Sequence, residues 1–290
     1  MLPRPCRGWP RLQMQADRRA LLTGIGATLI APAAHADDGL ALNGRFVQGG
    51  YAMGRTWPRA HVFVDGEALT TASTEGRFIV GFDRDAPSST RIEARARGRR
   101  ASRLLTIAPG TFPTSRIDGL PPATVEPTDP ALLARIRREA AIKAEAFASR
   151  IDGDGFAAGM VWPLDAYRVS SEWGSQRILN GTPARPHYGI DLAAPAGTRI
   201  RAPAAGRIVL ARTGLHFEGG LTLIDHGQGL ITAYLHQSAI SAVEGSRVQR
   251  GDVIGHVGAT GRATGPHLCW RMKWRDRNLD PSRMIAAVAS

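Results

Sequence analysis

A mainly β protein is expected from this 290-residue chain: an N-terminal antiparallel β-sandwich, a Pro-rich linker carrying one amphipathic helix, and a C-terminal β-rich domain. Short strand-like runs recur about every ten residues between 42 and 107, and strand-like runs joined by Gly-containing turns resume after Met160, the spacing of packed antiparallel sheets. Between them Pro109, Pro113, Pro121, Pro122, Pro127 and Pro130 mark a stiff, extended linker.

Residues 1–36 stand apart from the fold. Asp17-Arg18-Arg19 is followed by an uncharged run from Ala20 to Pro32 and then by Ala34-His35-Ala36. A basic patch, a short apolar run and a small-x-small site form the pattern of a secretory signal, and paired arginines point to the twin-arginine route. Cleavage is expected after Ala36, with Met14 as the natural start and a periplasmic or exported product. The apolar run is too short to span a bilayer, so no integral membrane span is expected once the signal is removed.

Removal of 1–36 takes away five arginines and Asp17, leaving 32 basic against 24 acidic residues, net +8 where the whole chain has +12. An exported protein of this charge suits an anionic polymer such as a cell wall. Nucleic acid is disfavoured, because aromatic and basic residues do not interleave and export separates the protein from it. Cys6 leaves with the signal, so Cys269 remains as a lone thiol with no internal disulfide framework.

In the sandwich (37–108) strands are expected at 44–48, 60–64, 77–82, 91–96 and 103–107, with Asp65-Gly66 as a hairpin turn. The prolines make the first part of 109–155 a stiff, extended linker. It ends in a helix of about twenty residues: Thr128 or Asp129 caps it, Pro130 fits its first turn, and Leu132, Ile136, Ala140 and Phe147 share one side opposite Arg135, Arg138 and Glu145. Such a helix is most simply a packing element. In 156–290, strands are expected at 199–208, 221–225, 230–235 and 253–257, with Gly227-Gln228-Gly229 closing a hairpin.

Side chains with chemistry to offer fall in this last part. A zinc site in a hydrolase takes three ligands from His, Asp, Glu or Cys and keeps a fourth position for water. His187 and Asp191 are four apart, but Gly189 and the Ala194-Pro195-Ala196-Gly197 turn argue against a helix. In an ideal strand their Cα atoms would lie roughly 13 Å apart, so a bend at Gly189 is required. Strand alternation puts His267 and Cys269 on one face, about 7 Å apart, and Leu268 and Trp270 on the other. His236 follows the strand-like run 230–235. Taken alone, Cys269 is equally a small buried hydrophobe. His61, His216, His226 and His256 read as structural or solvated.

Ser170 to Arg177 (SSEWGSQR), His187-Tyr188-Gly189-Ile190-Asp191, Tyr234-Leu235-His236 and Gly265-Pro266-His267-Leu268-Cys269, in this order, resemble the lysostaphin or LytM-type zinc metallopeptidases, which cleave peptidoglycan peptides. The resemblance implies a LytM-like domain holding one Zn2+ through His187, Asp191 and Cys269, with His236 and His267 acting on the water and the scissile carbonyl. It departs at one ligand: Cys269 stands where the family has histidine. The implied activity is zinc-dependent endopeptidase hydrolysis of stem or cross-bridge peptides of peptidoglycan through metal-activated water. The alternative is a weak or inactive relative that binds peptidoglycan or regulates a cell-wall hydrolase as partner. A swinging-arm carrier domain, suggested by the hairpin at 243–258, is disfavoured because the one lysine nearby, Lys273, lies outside that hairpin.

Overall fold

The computed structural model describes residues 39–119, 125 and 127–286; the expected signal at 1–36, with its start at Met14 and its cleavage after Ala36, lies outside the described residues. Alternation of apolar side chains with Arg, Thr and Glu sets the N-terminal strands. Strands β1 (Leu40–Arg45), β2 (Tyr51–Thr56) and β5 (Arg77–Gly81) form one antiparallel sheet in the order β1-β2-β5. Strands β3 (His61–Val64), β4 (Glu67–Thr71), β6 (Ser89–Ala96) and β7 (Arg99–Thr106) form the second, in the order β4-β3-β6-β7. The expected turn at Asp65-Gly66 joins β3 to β4, with φ of 51° and 91°, the positive pair that matches the twist of a two-residue hairpin. Strands β2 and β4 had no clear alternation in the sequence, and the run expected at 44–48 is shifted, the strand ending at Arg45.

The linker, expected as a stiff, extended segment, contributes a strand of its own. Strand β8 (Thr114–Ile117) pairs in parallel with β10 (Gln176–Leu179), whose other edge holds β11 (Thr182–Pro183). Phe112, just before β8, packs edge-on against Trp173 with ring centroids 5.8 Å apart. Helix α1 (Pro130–Phe147) begins as expected, the Asp129 carboxylate accepting from the Ala131 and Leu132 amides at 3.1 and 3.2 Å. Leu132, Ile136 and Phe147 are half-buried and Arg135, Arg138 and Glu145 exposed, as expected, but Ala140 is exposed and the fully buried residues are Glu139 and Ala146. Polar contacts cause this. Glu139 accepts from Arg135 Nε at 2.7 Å and from the His216 amide at 2.8 Å, and Lys143 Nζ donates to Glu218 at 2.5 Å.

The expected strand 199–208 is split into β13 (Arg199–Arg201) and β14 (Gly206–Leu215), because Pro203 has no N–H to give a ladder. The main C-terminal sheet continues with β9 (Arg168–Ser171), β12 (Ile190–Ala193), β15 (Gly219–Asp225), β16 (Leu230–Leu235), β18 (Arg247–Val248) and β20 (His267–Trp274). Its order is β18-β14-β15-β16-β20-β12-β9, antiparallel throughout, with β21 (Arg277–Leu279) added to β20. A small sheet of β13, β19 (Val253–His256) and β17 (Ala239–Ile240) lies beside it.

One hydrophobic cluster runs from Leu40, Phe78 and Ile92 in the sandwich to Leu268, Trp270 and Trp274 on β20. Gly81 on β5 lies against Leu279 and Trp274, where a Cβ would clash, so the sandwich sits directly on the back of the sheet that holds the candidate residues. Among the described residues no helix is long and apolar enough to cross a membrane.

Candidate metal centre

Strand register brings the site together. Ser171 on β9, Asp191 on β12, Cys269 on β20 and Leu235 on β16 are direct cross-strand partners and form one row across four strands. Cross-strand partners are the closest neighbours a sheet provides, so the Asp191 carboxylate and the Cys269 thiol meet by construction. His236 is the first residue beyond β16, and His267 lies two residues before Cys269, on the same face of β20.

The chain turns at Gly189, as the spacing required. A Cβ there would sit 2.8 Å from Cys269 Sγ, 2.9 Å from Arg271 Cγ and 3.2 Å from His187 Nε2. His187 Nε2 is 3.2 Å from Asp191 Oδ1 and 3.3 Å from Cys269 Sγ, and one donor atom from each of these three residues lies within 4.8 Å of the others. Strand alternation also sends Leu268 and Trp270 into the core, as expected.

Each imidazole is held from behind. His236 Nδ1 is 2.8 Å from the Thr260 carbonyl and His267 Nδ1 is 2.8 Å from the Gly265 carbonyl. A carbonyl only accepts, so both Nδ1 atoms carry the proton when the rings are neutral, and both Nε2 atoms keep a lone pair. His187 Nδ1 is 3.1 Å from Ser171 Oγ, a hydroxyl that accommodates the same tautomer. His236 takes φ +66°, a backbone conformation costly for a side chain of this size, and its ring centroid lies 4.7 Å from that of His267.

Charge and burial then define what the cluster lacks. Burial pushes the Asp191 carboxyl up, but facing His187, His267 and Arg177 outweigh it and hold it well below the usual carboxylate range. Asp191 is therefore ionised, and its buried Oδ1 has no hydrogen-bond partner, with His187 Nε2 3.2 Å away. Burial also lowers His187, and it takes His236 down to about 4, so both rings are neutral at pH 7. Burial pushes the Cys269 thiol up to about 12. A buried carboxylate oxygen, an imidazole nitrogen and a sulfur, one donor atom of each within 4.8 Å of the others, form a donor set that fits a divalent cation of zinc type; binding would displace the thiol proton.

Two arginines that the motif reading gave no role lie directly behind this set. Arg177 Nη2 is 3.5 Å from Asp191 Oδ2, and Arg271 Nε is 3.4 Å from Cys269 Sγ. Arg271 was within reach of sequence reasoning, since it extends the one-face series His267, Cys269 by two residues. Arg177 was not, because only the non-local sheet places it. His61, His216, His226 and His256 do not line this cleft, which measures about 580 Å³. His226 donates from Nδ1 to the Ala205 carbonyl at 2.8 Å, and its Nε2 is 2.7 Å from Thr232 Oγ1.

Comparison with known proteins agrees with this geometry. Residues 185–281 match peptidase family M23. The chain is 42% identical over 120 residues to DD-carboxypeptidase/endopeptidase Mpg of Neisseria meningitidis serogroup B, covering 41% of this chain and 27% of that protein. It is 36% identical over 132 residues to peptidoglycan DD-endopeptidase ShyA of Vibrio cholerae, covering 44% of this chain and 30% of that protein. The chain thus spans less than a third of the length of these curated relatives. A crystal structure from Pseudomonas aeruginosa assigned to peptidase M23 is similar over 83% of this chain and 95% of that one, with 31% identity and a TM-score of 0.64.

Proposed function

This chain belongs to peptidase family M23, and from that premise we propose that it is a zinc-dependent endopeptidase that hydrolyses stem or cross-bridge peptide bonds of peptidoglycan. The observation that carries the reading is the unpartnered Asp191 Oδ1 facing His187 Nε2 and Cys269 Sγ. The similarity to proteins named peptidoglycan DD-endopeptidase and DD-carboxypeptidase/endopeptidase directs it to wall peptides.

In this reading His187, Asp191 and Cys269 hold the ion. Zinc, when bound, supplies a Lewis acid that polarises the scissile carbonyl and acidifies water. His236 and His267, each anchored through Nδ1–H to a carbonyl, present an Nε2 lone pair to the cleft, so that one accepts the proton of the attacking water and, as the imidazolium then formed, donates it onward to the leaving amine, while the other faces the scissile carbonyl. Ser171 orients the His187 ring, while Arg177 and Arg271 offset the negative charge of carboxylate and thiolate. Residues 1–36 act as an export signal, 37–108 as a β-sandwich domain, 109–155 as linker and helix, and 156–290 as the peptidase domain of a periplasmic protein.

Metal analysis of the purified protein together with digestion of purified peptidoglycan tests the proposal. One zinc per chain with released muropeptides is the expected result. Zinc without release would leave a wall-binding protein or a regulator of another hydrolase, and absence of zinc from protein purified and reconstituted at neutral pH would sink the metal reading.

A further inference from the structure

Beside the metal cleft lies a second cleft of about 530 Å³, and His187 lines both. Five cationic side chains line this second cleft: Arg177, Arg185, Arg262, Arg271 and Lys273, with no carboxylate among its described lining residues. The arrangement is built from two strands and two loops. Arg271 and Lys273 continue the same face of β20 that carries His267 and Cys269, and Arg177 comes from β10. Arg262 sits where its guanidinium lies 4.7 Å over the Phe217 ring, with its amide bonded to the Phe217 carbonyl at 2.9 Å. Partial desolvation, and then the charges of Arg177 and Arg271, hold Arg262 below its ordinary value, a sign of how closely the three guanidiniums approach. Of these, Arg177 and Arg271 reach Asp191 and Cys269, Arg262 lines both clefts, and Arg185 lines the second alone.

Like charges gathered on one wall raise the potential there and favour an anion over water. Guanidiniums, planar and fork-shaped, match carboxylates in geometry. Resting on the peptidase reading above, we propose that this cleft is a subsite for a free carboxylate of the peptide substrate, placed beside the scissile bond by the wall that His187 shares with the metal cleft. The chain therefore selects acidic peptides over neutral ones of the same sequence. The carboxylate has two sources, the C-terminus of the peptide or an acidic side chain next to the cleaved bond.

The test uses the zinc-loaded full chain and three synthetic peptides of one sequence: the free acid, the form amidated at its C-terminus, and the form amidated at its acidic side chain. Both KM and calorimetric Kd are measured. One amidation is expected to raise Kd and KM about tenfold or more, the scale of a lost charge-assisted hydrogen bond, with kcat little changed, and the amidation that does so identifies the source. Arg185→Gln and Arg262→Gln should each shrink that ratio toward one, whereas Arg185→Lys and Arg262→Lys should retain most of it. Equal Kd for all three peptides, or an undiminished ratio in the folded Gln variants, would overturn the subsite. If no peptide is hydrolysed, the peptidase reading fails, and the Kd ratios still decide the subsite by themselves.

Discussion

Glu93 in the N-terminal sandwich and Asp191 in the C-terminal sheet are both carboxylates buried on β-strands, and both are held below the usual carboxylate range. The partners differ. Arg95 and Arg100 both donate to Glu93, Arg100 Nη2 at 2.6 Å, and their own side chains reach solvent, so the charge of Glu93 is fully matched within the sandwich. Asp191 has one distant guanidinium at 3.5 Å and a buried oxygen, Oδ1, with no hydrogen-bond partner. The same residue class, buried to a similar extent, completes its hydrogen bonds in the sandwich and leaves an oxygen unpartnered in the site, where the proposed function gives it an ion to hold.

The sharpest way to break this comparison is to neutralise each carboxylate in turn. Asp191→Asn should weaken zinc binding and lower peptidoglycan hydrolysis by at least about a hundredfold, since loss of a mere supporting contact around a metal site already costs up to that much. Glu93→Gln should leave zinc content and hydrolysis unchanged and lower stability by about 1 kcal/mol, because the arginines it releases are free to hydrate. Zinc stoichiometry and urea denaturation of both variants check this, and equal effects on zinc would remove the distinction.

A smaller effect is expected where only space is changed. Gly189→Ala places a methyl group within 2.8 Å of Cys269 Sγ and 3.2 Å of His187 Nε2, so two donors must move. Zinc affinity should fall about ten- to a hundredfold while the fold persists; unchanged affinity in a competition titration would show that the turn at Gly189 does not set the donor geometry.

Smaller again is the exchange of one donor for another. Thiolate and carboxylate together cancel the charge of a divalent ion, which makes bound water less acidic than a neutral imidazole would. Cys269→His should therefore raise turnover several-fold at equal zinc content. It should also cost about 1 kcal/mol of stability, because the half-buried Arg271 behind the sulfur loses its acceptor. A fully zinc-loaded but inactive variant would contradict the charge argument.

Much of this arrangement was legible from local sequence. Asp65-Gly66, Gly227-Gln228-Gly229, Asp129-Pro130 and the run 230–235 each act within a few residues, and turn chemistry, capping or alternation exposes them. His187, Asp191, His236, His267 and Cys269 were found by motif order, and the bend at Gly189 by the reach of a strand. What stayed hidden depends on partners distant in sequence. The pairing of Thr114–Ile117 with Gln176–Leu179 joins a Pro-rich segment to a strand some sixty residues on, and no local pattern encodes it. The packed face of helix α1 includes Glu139 and Lys143, which share the side of Leu132 and Ile136 by helical spacing but carry polar side chains that apolar patterning does not count. Arg177 reaches Asp191 only through that same non-local sheet.

His226 offers the gentlest test of the contrast between matched and unmatched polar burial. Like His236 it is buried, and burial takes it, too, down to about 4, but both of its ring nitrogens have partners, the Ala205 carbonyl and Thr232 Oγ1, and it does not line the metal cleft. Its folded-state value lies below the unfolded value of about 6.5, so the unfolded chain takes up a proton first as pH falls. The neutral imidazole's contribution is complete above about pH 6.5 and is lost progressively as pH falls toward 4. Between pH 7.5 and 5.5 this amounts to about 1 kcal/mol. Urea midpoints should fall over that interval in the wild type and fall less in His226→Gln, with zinc content identical in the two at pH 7.5. Parallel pH curves would mean that His226 is not held neutral by its surroundings, and a loss of zinc in the variant would place it in the site's support, erasing the line between the two kinds of buried histidine.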